Sequence, residues 1–425
     1  MPSLRTLQAL SLSLALLGLN SVSSAAPAPS ALDTALARLV TEGKVPAAAL
    51  LADEGANSRF THAEALANAG TPRTVPGTGP RTTNGIAEGV EDGGTNGAAG
   101  NTPADSPASA SPRRTGRPVS GSPTATSLHR SDHFRAGSIT KTFIATVVLQ
   151  LAAEHRLSLS DSVDAHLPGL VRGAGNDGRV LTLRALLTHT SGLADFTADT
   201  AGAVPLTPAQ AVRIALTHPS ADRGRFAYSN TNYVLLGMVV EQVTGRSYAA
   251  EAERRLITPL RLTGTSFPGS RHALPEPHGR AYSADGTDVT DLDPRVAGAA
   301  GELVTTLADL NRFYAALLRG DLLPPRQLRE MLDTRTAHGS YGMGLYSVKL
   351  PCGATVWGHN GRITGSYVRT AATSDGRHVL TFRVNTDAIA DPSVEPALLA
   401  AEFCPRTPWN ERVPSRDPRS GHSFG

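Results

Sequence analysis

The 425-residue chain reads as an α+β protein: one antiparallel sheet built from N- and C-terminal strands, flanked by helices, with a mainly helical lobe inserted between the strand sets. Three observations carry that reading. Strand-like segments at 45–52 (V-P-A-A-A-L-L-A) and about 59–65 lie near the start, helical periodicity fills the middle, and Tyr341 to Val384 carries the glycines and alternating apolar residues of three or four antiparallel strands. A sheet that uses both chain ends must close around whatever lies between them.

In order along the chain, one positive charge at Arg5 precedes a short apolar stretch and then the small residues S-V-S-S-A-A-P-A. This is the pattern of a secretory signal peptide over residues 1–25, cut near Ala25. A membrane anchor needs about 20 apolar residues, and this stretch is shorter and dotted with Ser and Gln. The expectation is therefore a protein secreted to an extracellular, cell-wall environment, with no membrane anchor. Residues 26–404 are expected to form the folded unit. Ser30 caps a first helix whose apolar residues recur at Leu32, Leu36, Leu39 and Val40, with Gly43 as its stop.

A short N-G-I-A-E-G-V strand precedes a segment from Asp92 to Leu128 that is almost all Gly, Pro, Ser, Thr, Asn, Ala and Arg. Such a composition cannot bury enough apolar surface to offset its ordering entropy, so it reads as a disordered insertion. Beyond it, Ile139, Phe143, Ile144, Val147, Val148, Leu151 and Ala152 mark one face of a long helix beginning near Ser138. Further helices are expected at Thr207 to Thr217, Asn230 to Val243, Ser247 to Ile257 and Thr305 to Leu318. D-P-S-V-E-P-A-L-L-A-A-E-F-C closes as a helix, and the polar, Pro-rich tail 405–425 is expected to be loose.

Composition narrows the function classes. The net charge is +3, and no Lys/Arg-rich run with interleaved aromatics appears, which argues against nucleic acid as a partner. The 13 histidines include no H-E-x-x-H. H-R-S-D-H (His129 to His133) has two histidines at i and i+4 but no helical pattern, so neither a metal nor a cofactor is expected. His189 in T-H-T-S-G-L reads as a structural turn residue. G-H-S-F-G at Gly421 to Gly425 matches the G-x-S-x-G elbow, yet a Pro-rich tail stands where a strand is needed. The two cysteines, Cys352 and Cys404, favour one disulfide in an exported chain, the alternative being two buried thiols. Closing that loop would stabilise by about 4 kcal/mol in the chain-entropy model.

The chemistry starts from F-R-A-G-S-I-T-K-T-F, Phe134 to Phe143. Of the 40 basic residues only Lys44, Lys141 and Lys349 are lysines, and one of them stands three positions after Ser138. Arginine stays protonated, whereas a buried lysine can lose its proton, so a lysine here points to a base. On a helix, i and i+3 share a face, which brings the amine within reach of the hydroxyl. A serine at a helix start beside a neutralisable lysine is an activated nucleophile. Y-S-N, Tyr228 to Asn230, adds a phenol able to share protons and an amide able to grip a substrate amide. H-N-G, His359 to Gly361, adds an imidazole and a close-approaching backbone on a strand edge. Taken singly, each has a plain structural explanation, as a helix cap or a polar strand residue.

Together and in this order, S-x-x-K, Y-x-N and H-x-G resemble the serine penicillin-recognising enzymes, within them the branch of D-alanyl-D-alanine carboxypeptidases, class C β-lactamases and related esterases. L-L-T-H-T-S-G-L (Leu186 to Leu193), Y-S-N-T-N-Y-V-L-L-G and Y-G-M-G-L (Tyr341 to Leu345) carry the same likeness. It is closest to the secreted Streptomyces-type DD-peptidases, which also carry a C-terminal disulfide of similar spacing, and it covers about Ala31 to Cys404 apart from the insertion. The resemblance implies that Ser138 is acylated and that Lys141 and Tyr228 handle the protons. It further implies that Asn230 and the His359-Asn360-Gly361 strand align the substrate, with the backbone N–H groups of Ser138 and Arg362 as the oxyanion hole. The implied activity is that of a monomeric D-alanyl-D-alanine carboxypeptidase on peptidoglycan-type peptides. The alternatives are a β-lactamase or esterase and, from another class, a non-catalytic binding protein. Substrates would be small peptides, β-lactams or esters. Two departures stand out: the third motif reads H-N-G-R where H-T-G and a hydroxyl are usual, and Tyr346 occupies the place of a carboxylate-reading arginine. Arg362 is the candidate to take over that role.

Overall fold

In a computed structural model of the chain, residues 30–65 and 127–404 are described. The signal segment, the N-G-I-A-E-G-V strand, the tail with its G-H-S-F-G, and the insertion up to residue 126 lie outside them. One boundary is corrected: Leu128, assigned to the insertion, is fully buried in the main core, so the folded chain resumes before it.

Helix α1 (Ala31–Thr41) opens on a capping box, in which Ser30 accepts from the Asp33 N–H while the Asp33 carboxylate accepts from the Ser30 N–H. Strands β1 (Ala47–Glu54) and β2 (Asn57–Glu64) form a hairpin. The inserted lobe carries α2 (Thr140–Ala153), α3 (Pro208–Ala215), α4 (Asn230–Thr244) and α5 (Leu307–Arg319). Then come β3 (Tyr346–Lys349), β4 (Thr355–Ile363), β5 (Ser366–Thr373), β6 (His378–Val384) and α6 (Val394–Phe403). The sheet order is β2-β1-β6-β5-β4-β3 with every pairing antiparallel, and the Leu50↔Phe382 register joins the chain's two ends. The α+β class and the two-ended sheet are as the sequence indicates.

Because strand side chains alternate, the two faces of β1 serve two cores. Ala48, Leu50 and Ala52 pack with Leu36, Leu39, Leu398 and Leu399 under α1 and α6. Ala47, Ala49 and Leu51 face the larger cluster, where Phe143 of α2 stacks on Phe313 of α5 with ring centroids 3.8 Å apart. Each fully buried Leu or Phe there is worth about 1.5–3 kcal/mol.

Several local expectations shift. The sequence shows an apolar stripe on α2, but nearly the whole helix is buried, including Thr140, Lys141, Thr142 and Thr146; a helix in the middle of a lobe has no wet side. The expected Ser247–Ile257 helix is α-helical at Tyr248–Ala252, widens to a π turn at Glu253–Ile257, and runs on to Leu260. Short helices at Val163–His166 and Leu183–Leu187, capped by Ser162 and Thr182, were too brief for periodicity to reveal. Cys352, in the turn between β3 and β4, is bonded to Cys404 at the end of α6. Among the described residues no helix is long and apolar enough to cross a membrane.

One feature of the sheet positions the site. β3 pairs with β4 only along Thr355–Gly358, so among the described strands the Asn360–Ile363 stretch pairs with β5 alone. Its other edge faces the turn that carries Ser138.

Candidate active site

A two-residue strand, Phe134–Arg135, paired with Val304–Thr305, delivers the chain to Gly137. Gly137 has φ +51°, in the left-handed region, and begins a 3₁₀ turn over Gly137–Ile139. Ser138 therefore sits in a tight turn just before α2 and not inside it. A Cβ on Gly137 would lie 2.7 Å from the Arg362 nitrogen, and one on Gly361 would lie 1.8 Å from the Ala136 oxygen and 3.2 Å from the Ser138 nitrogen. Two glycines thus let the serine turn and the β4 edge meet backbone to backbone.

Lys141 points its amine back over this turn. Its Nζ is 2.8 Å from Ser138 Oγ, 2.7 Å from Asn230 Oδ1 and 2.8 Å from the Ala300 carbonyl. The side chain is fully buried, and the amine lies 4.8 Å from the centre of the Tyr228 ring. Both the amide oxygen and the carbonyl can only accept. A neutral amine would spend its two N–H groups on them and turn its lone pair to the serine hydroxyl; an ammonium would donate to all three. The same geometry fits the amine before and after it takes a proton.

Asn230 begins α4, and its orientation is set by a residue the sequence reading missed. Its Nδ2 donates to Asp195 Oδ2 at 2.9 Å and to Thr197 Oγ1 at 3.2 Å. A carboxylate accepts only, so the amide must present Oδ1 to Lys141. Asp195 is itself fixed by the Thr197 N–H and hydroxyl at 3.0 and 2.9 Å. Its position two residues after L-L-T-H-T-S-G-L was the available signal.

Tyr228 rests on His189, the rings stacked with centroids 4.2 Å apart. His189 has φ +55° and accepts at Nδ1 from the Ser229 N–H and the Asn232 amide, which places its proton on Nε2. Burial, then the charge of Lys141, pushes it well below its ordinary value. It is the turn residue the sequence suggests, and also the platform under the phenol.

The third motif divides. Arg362 is exposed and, with Ser138, Thr197, Tyr228, Asn230 and Gly301, lines the cavity in front of the serine. His359 and Asn360 lie outside that lining. His359 is buried, donates from Nδ1 to the Asn360 carbonyl and accepts at Nε2 from Tyr341 Oη, 2.8 Å away. Burial first, and Lys141 second, depress it to about 3. The Asn360 amide oxygen accepts from Tyr346 Oη at 2.8 Å. Both side chains brace the strand, and it is the Gly361–Arg362 backbone that meets the serine turn. His129 to His133 form a turn in which Asp132 accepts from the His129 N–H and His133 meets the Pro277 carbonyl. Among the described residues no group of His, Cys, Asp and Glu is placed to hold a metal ion.

A family model described as Beta-lactamase matches residues 86–401. PbpX of Bacillus subtilis (strain 168) is 30% identical over 217 residues, which is 50% of this chain and about half, 53%, of that relative's length. Penicillin-binding protein 4 of Amycolatopsis lactamdurans is 32% identical over 270 residues, 56% of this chain and 68% of that one. Among solved structures, a D-stereospecific amidohydrolase from Streptomyces sp. superposes with a TM-score of 0.68 at 36% identity, over 88% of this chain and 98% of that one. A D-amino acid amidase from Ochrobactrum anthropi SV3, at 20% identity and a TM-score of 0.65, shares the fold.

Proposed function

The chain belongs to the Beta-lactamase family of serine hydrolases, and on that premise we propose that it cleaves small D-configured acyl amides through an acyl-enzyme on Ser138. Lys141, as neutral amine, takes the hydroxyl proton while Oγ attacks the carbonyl carbon. The oxyanion that forms is held by the N–H groups of Ser138 and Arg362, brought together by Gly137 and Gly361. The oxyanion collapses and breaks the C–N bond as Tyr228 passes a proton to the leaving amine and regains one from the Lys141 ammonium. Water then attacks the ester carbonyl, giving up a proton, and the Ser138 oxygen leaves with a proton returned to it. The observation that carries this reading is the buried amine 2.8 Å from a serine hydroxyl, held between two oxygens that can only accept. The preference for D-configured amides rests on the likeness to the Streptomyces amidohydrolase.

A second reading, D-alanyl-D-alanine carboxypeptidase activity, is favoured by Arg362, an exposed cation on the cavity wall able to meet a terminal carboxylate. Tyr346 offers no substitute, because its hydroxyl is committed to Asn360. Rates on a D-amino acid amide, its L-enantiomer, a D-Ala-D-Ala peptide, nitrocefin and p-nitrophenyl acetate separate the readings. The D-amide should be cleaved fastest and Ser138 should be labelled by a fluorescent penicillin. Equal rates on both enantiomers would remove the stereochemical claim, and no labelling of Ser138 would remove the acyl-enzyme. Export accompanies the proposal and is supported by the Cys352–Cys404 disulfide; sequencing the N-terminus of protein from culture medium checks it.

A further inference from the structure

A second cavity, of about 310 Å³, lies against the wall of the serine site, and Ala297 lines both. It is mostly apolar, lined by Phe196, Leu206, Ala211, Val234 and Met238, with Tyr248 and Glu302 at its polar end. Nothing in the proposed hydrolysis uses it.

Glu302 is only 3% exposed, a rare placement for a carboxyl group. Its Oε1 accepts from Tyr248 Oη at 2.7 Å, and among the described residues no donor reaches Oε2. Burial pushes this carboxyl up to about 7, with the tyrosine bond opposing in part. Glu241, also on the lining, is raised by burial as well. Arg295 is the cation on the lining, and it is committed to Asp293 through Nε at 3.0 Å and Nη2 at 2.6 Å. The cavity therefore joins an apolar body to a half-satisfied, desolvated carboxyl without a cation of its own. A guest that suits both ends has an uncharged hydrocarbon part and one compact positive group able to donate hydrogen bonds.

We propose that this cavity is a binding site for a small hydrophobic monoamine, bound as its ammonium ion, with the hydrocarbon against Leu206, Val234 and Met238 and the ammonium on Glu302. One of the ammonium's three N–H donors would fill the open carboxylate oxygen, and the charge would favour the ionised carboxylate that burial alone opposes. The site is distinct from the serine cavity, so it does not depend on the amide-hydrolase reading.

Calorimetric titration of the full chain with cyclohexylmethylamine and with cyclohexylmethanol, its neutral counterpart, tests this directly. The amine should bind one to one and at least about tenfold more tightly than the alcohol. Glu302→Gln should erase that difference, and prior acylation of Ser138 by benzylpenicillin should leave amine binding in place. Equal affinities for amine and alcohol, or no heat up to about 10 mM amine, would overturn the site whether or not the Gln variant folds. Loss of amine binding after acylation would overturn it in another way, by moving the guest to the serine cavity.

Discussion

Lys141 and Arg369 are both fully buried basic side chains, and they stand on opposite faces of the C-terminal half of the sheet. Lys141, on α2, meets three neutral oxygens, those of a hydroxyl, an amide and a carbonyl. Arg369, on β5 and on the α6 side, reaches across the sheet so that its guanidinium lies 4.4 Å from the Tyr346 ring centre. It donates to the Tyr346 hydroxyl and sets Nε 3.6 Å from the Glu395 carboxylate. Desolvation works against its charge, and Tyr346, Glu395 and Tyr367 together hold it above its ordinary value. The arginine has a carboxylate and two phenols to set against its charge, although Nε and Nη2 find no hydrogen-bond partner among the described residues. The lysine is surrounded as a group that exchanges a proton should be. In a chain with three lysines, the other two, Lys44 and Lys349, are exposed, so the one buried lysine is the place where the proposed base and a permanent charge can be told apart.

Exchanging the two chemistries breaks the comparison most sharply. Lys141→Arg keeps the charge but cannot accept the Ser138 proton, so acylation by a chromogenic β-lactam or activated ester should fall by several orders of magnitude. Circular dichroism would confirm the fold, and activity within about tenfold of the parent would mean that Lys141 supplies charge alone. On the other face, Arg369→Met should cost about 2–3 kcal/mol in urea unfolding, because Glu395 loses its counter-charge. It should change the acylation rate per folded molecule by less than about threefold. A large catalytic loss there would show that the two faces are coupled through β4.

Much of this was legible in the sequence because short-range periodicity carries it. The continuous apolar run of β1, the alternating apolar residues of β4–β6, caps such as Ser30 and Thr207, and the i,i+3 spacing of Ser138 and Lys141 are local facts. What escaped depends on contacts between distant segments. Asp195 acts on Asn230 across 35 positions, and no periodicity links them. His359 and Asn360 look like substrate contacts in a motif, yet their side chains are taken up by Tyr341 and Tyr346, which only the folded strand edge brings near. The start of α2 slipped by two residues because Gly137, at positive φ, admits a 3₁₀ turn first.

The buried cation also leaves a mark on pH dependence. His189 and His359 both lie near Lys141, and burial with that charge keeps them neutral, His359 down to about 3. In the unfolded chain they protonate around the ordinary value of 6.5. The unfolded state therefore takes up protons that the folded state refuses. Stability from this source is whole above about pH 6.5 and is lost as the pH falls toward 3, with a slope of up to about 1.4 kcal/mol per pH unit for each histidine. Urea unfolding at pH 7.5, 6.5, 5.5 and 4.5 should show this fall, and His359→Gln should flatten it by about one proton's worth. A slope identical in parent and variant would place the acid sensitivity elsewhere.

The smallest expected effect probes how the amine is aimed. Asp195 accepts from Asn230 Nδ2, and that bond decides which end of the amide faces Lys141. In Asp195→Asn the neighbour can donate as well as accept, so the Asn230 amide is free to turn over. The flipped amide would set an NH₂ group against the lysine amine, two donors face to face, and the lone pair would no longer be held toward Ser138. Only part of the population suffers this, because the Ala300 carbonyl still anchors the amine. The acylation rate should fall by about tenfold, a barrier change near 1.4 kcal/mol. Thermal stability should change by less than about 1 kcal/mol, since the half-buried side chain keeps its size and its Thr197 bonds. The distinguishing measurement is the double variant. If Asp195 acts through Asn230, then Asp195→Asn should cost almost nothing in an Asn230→Ala background, because the two share one path. An undiminished tenfold loss in that background would mean that Asp195 touches the substrate or the reaction by another route.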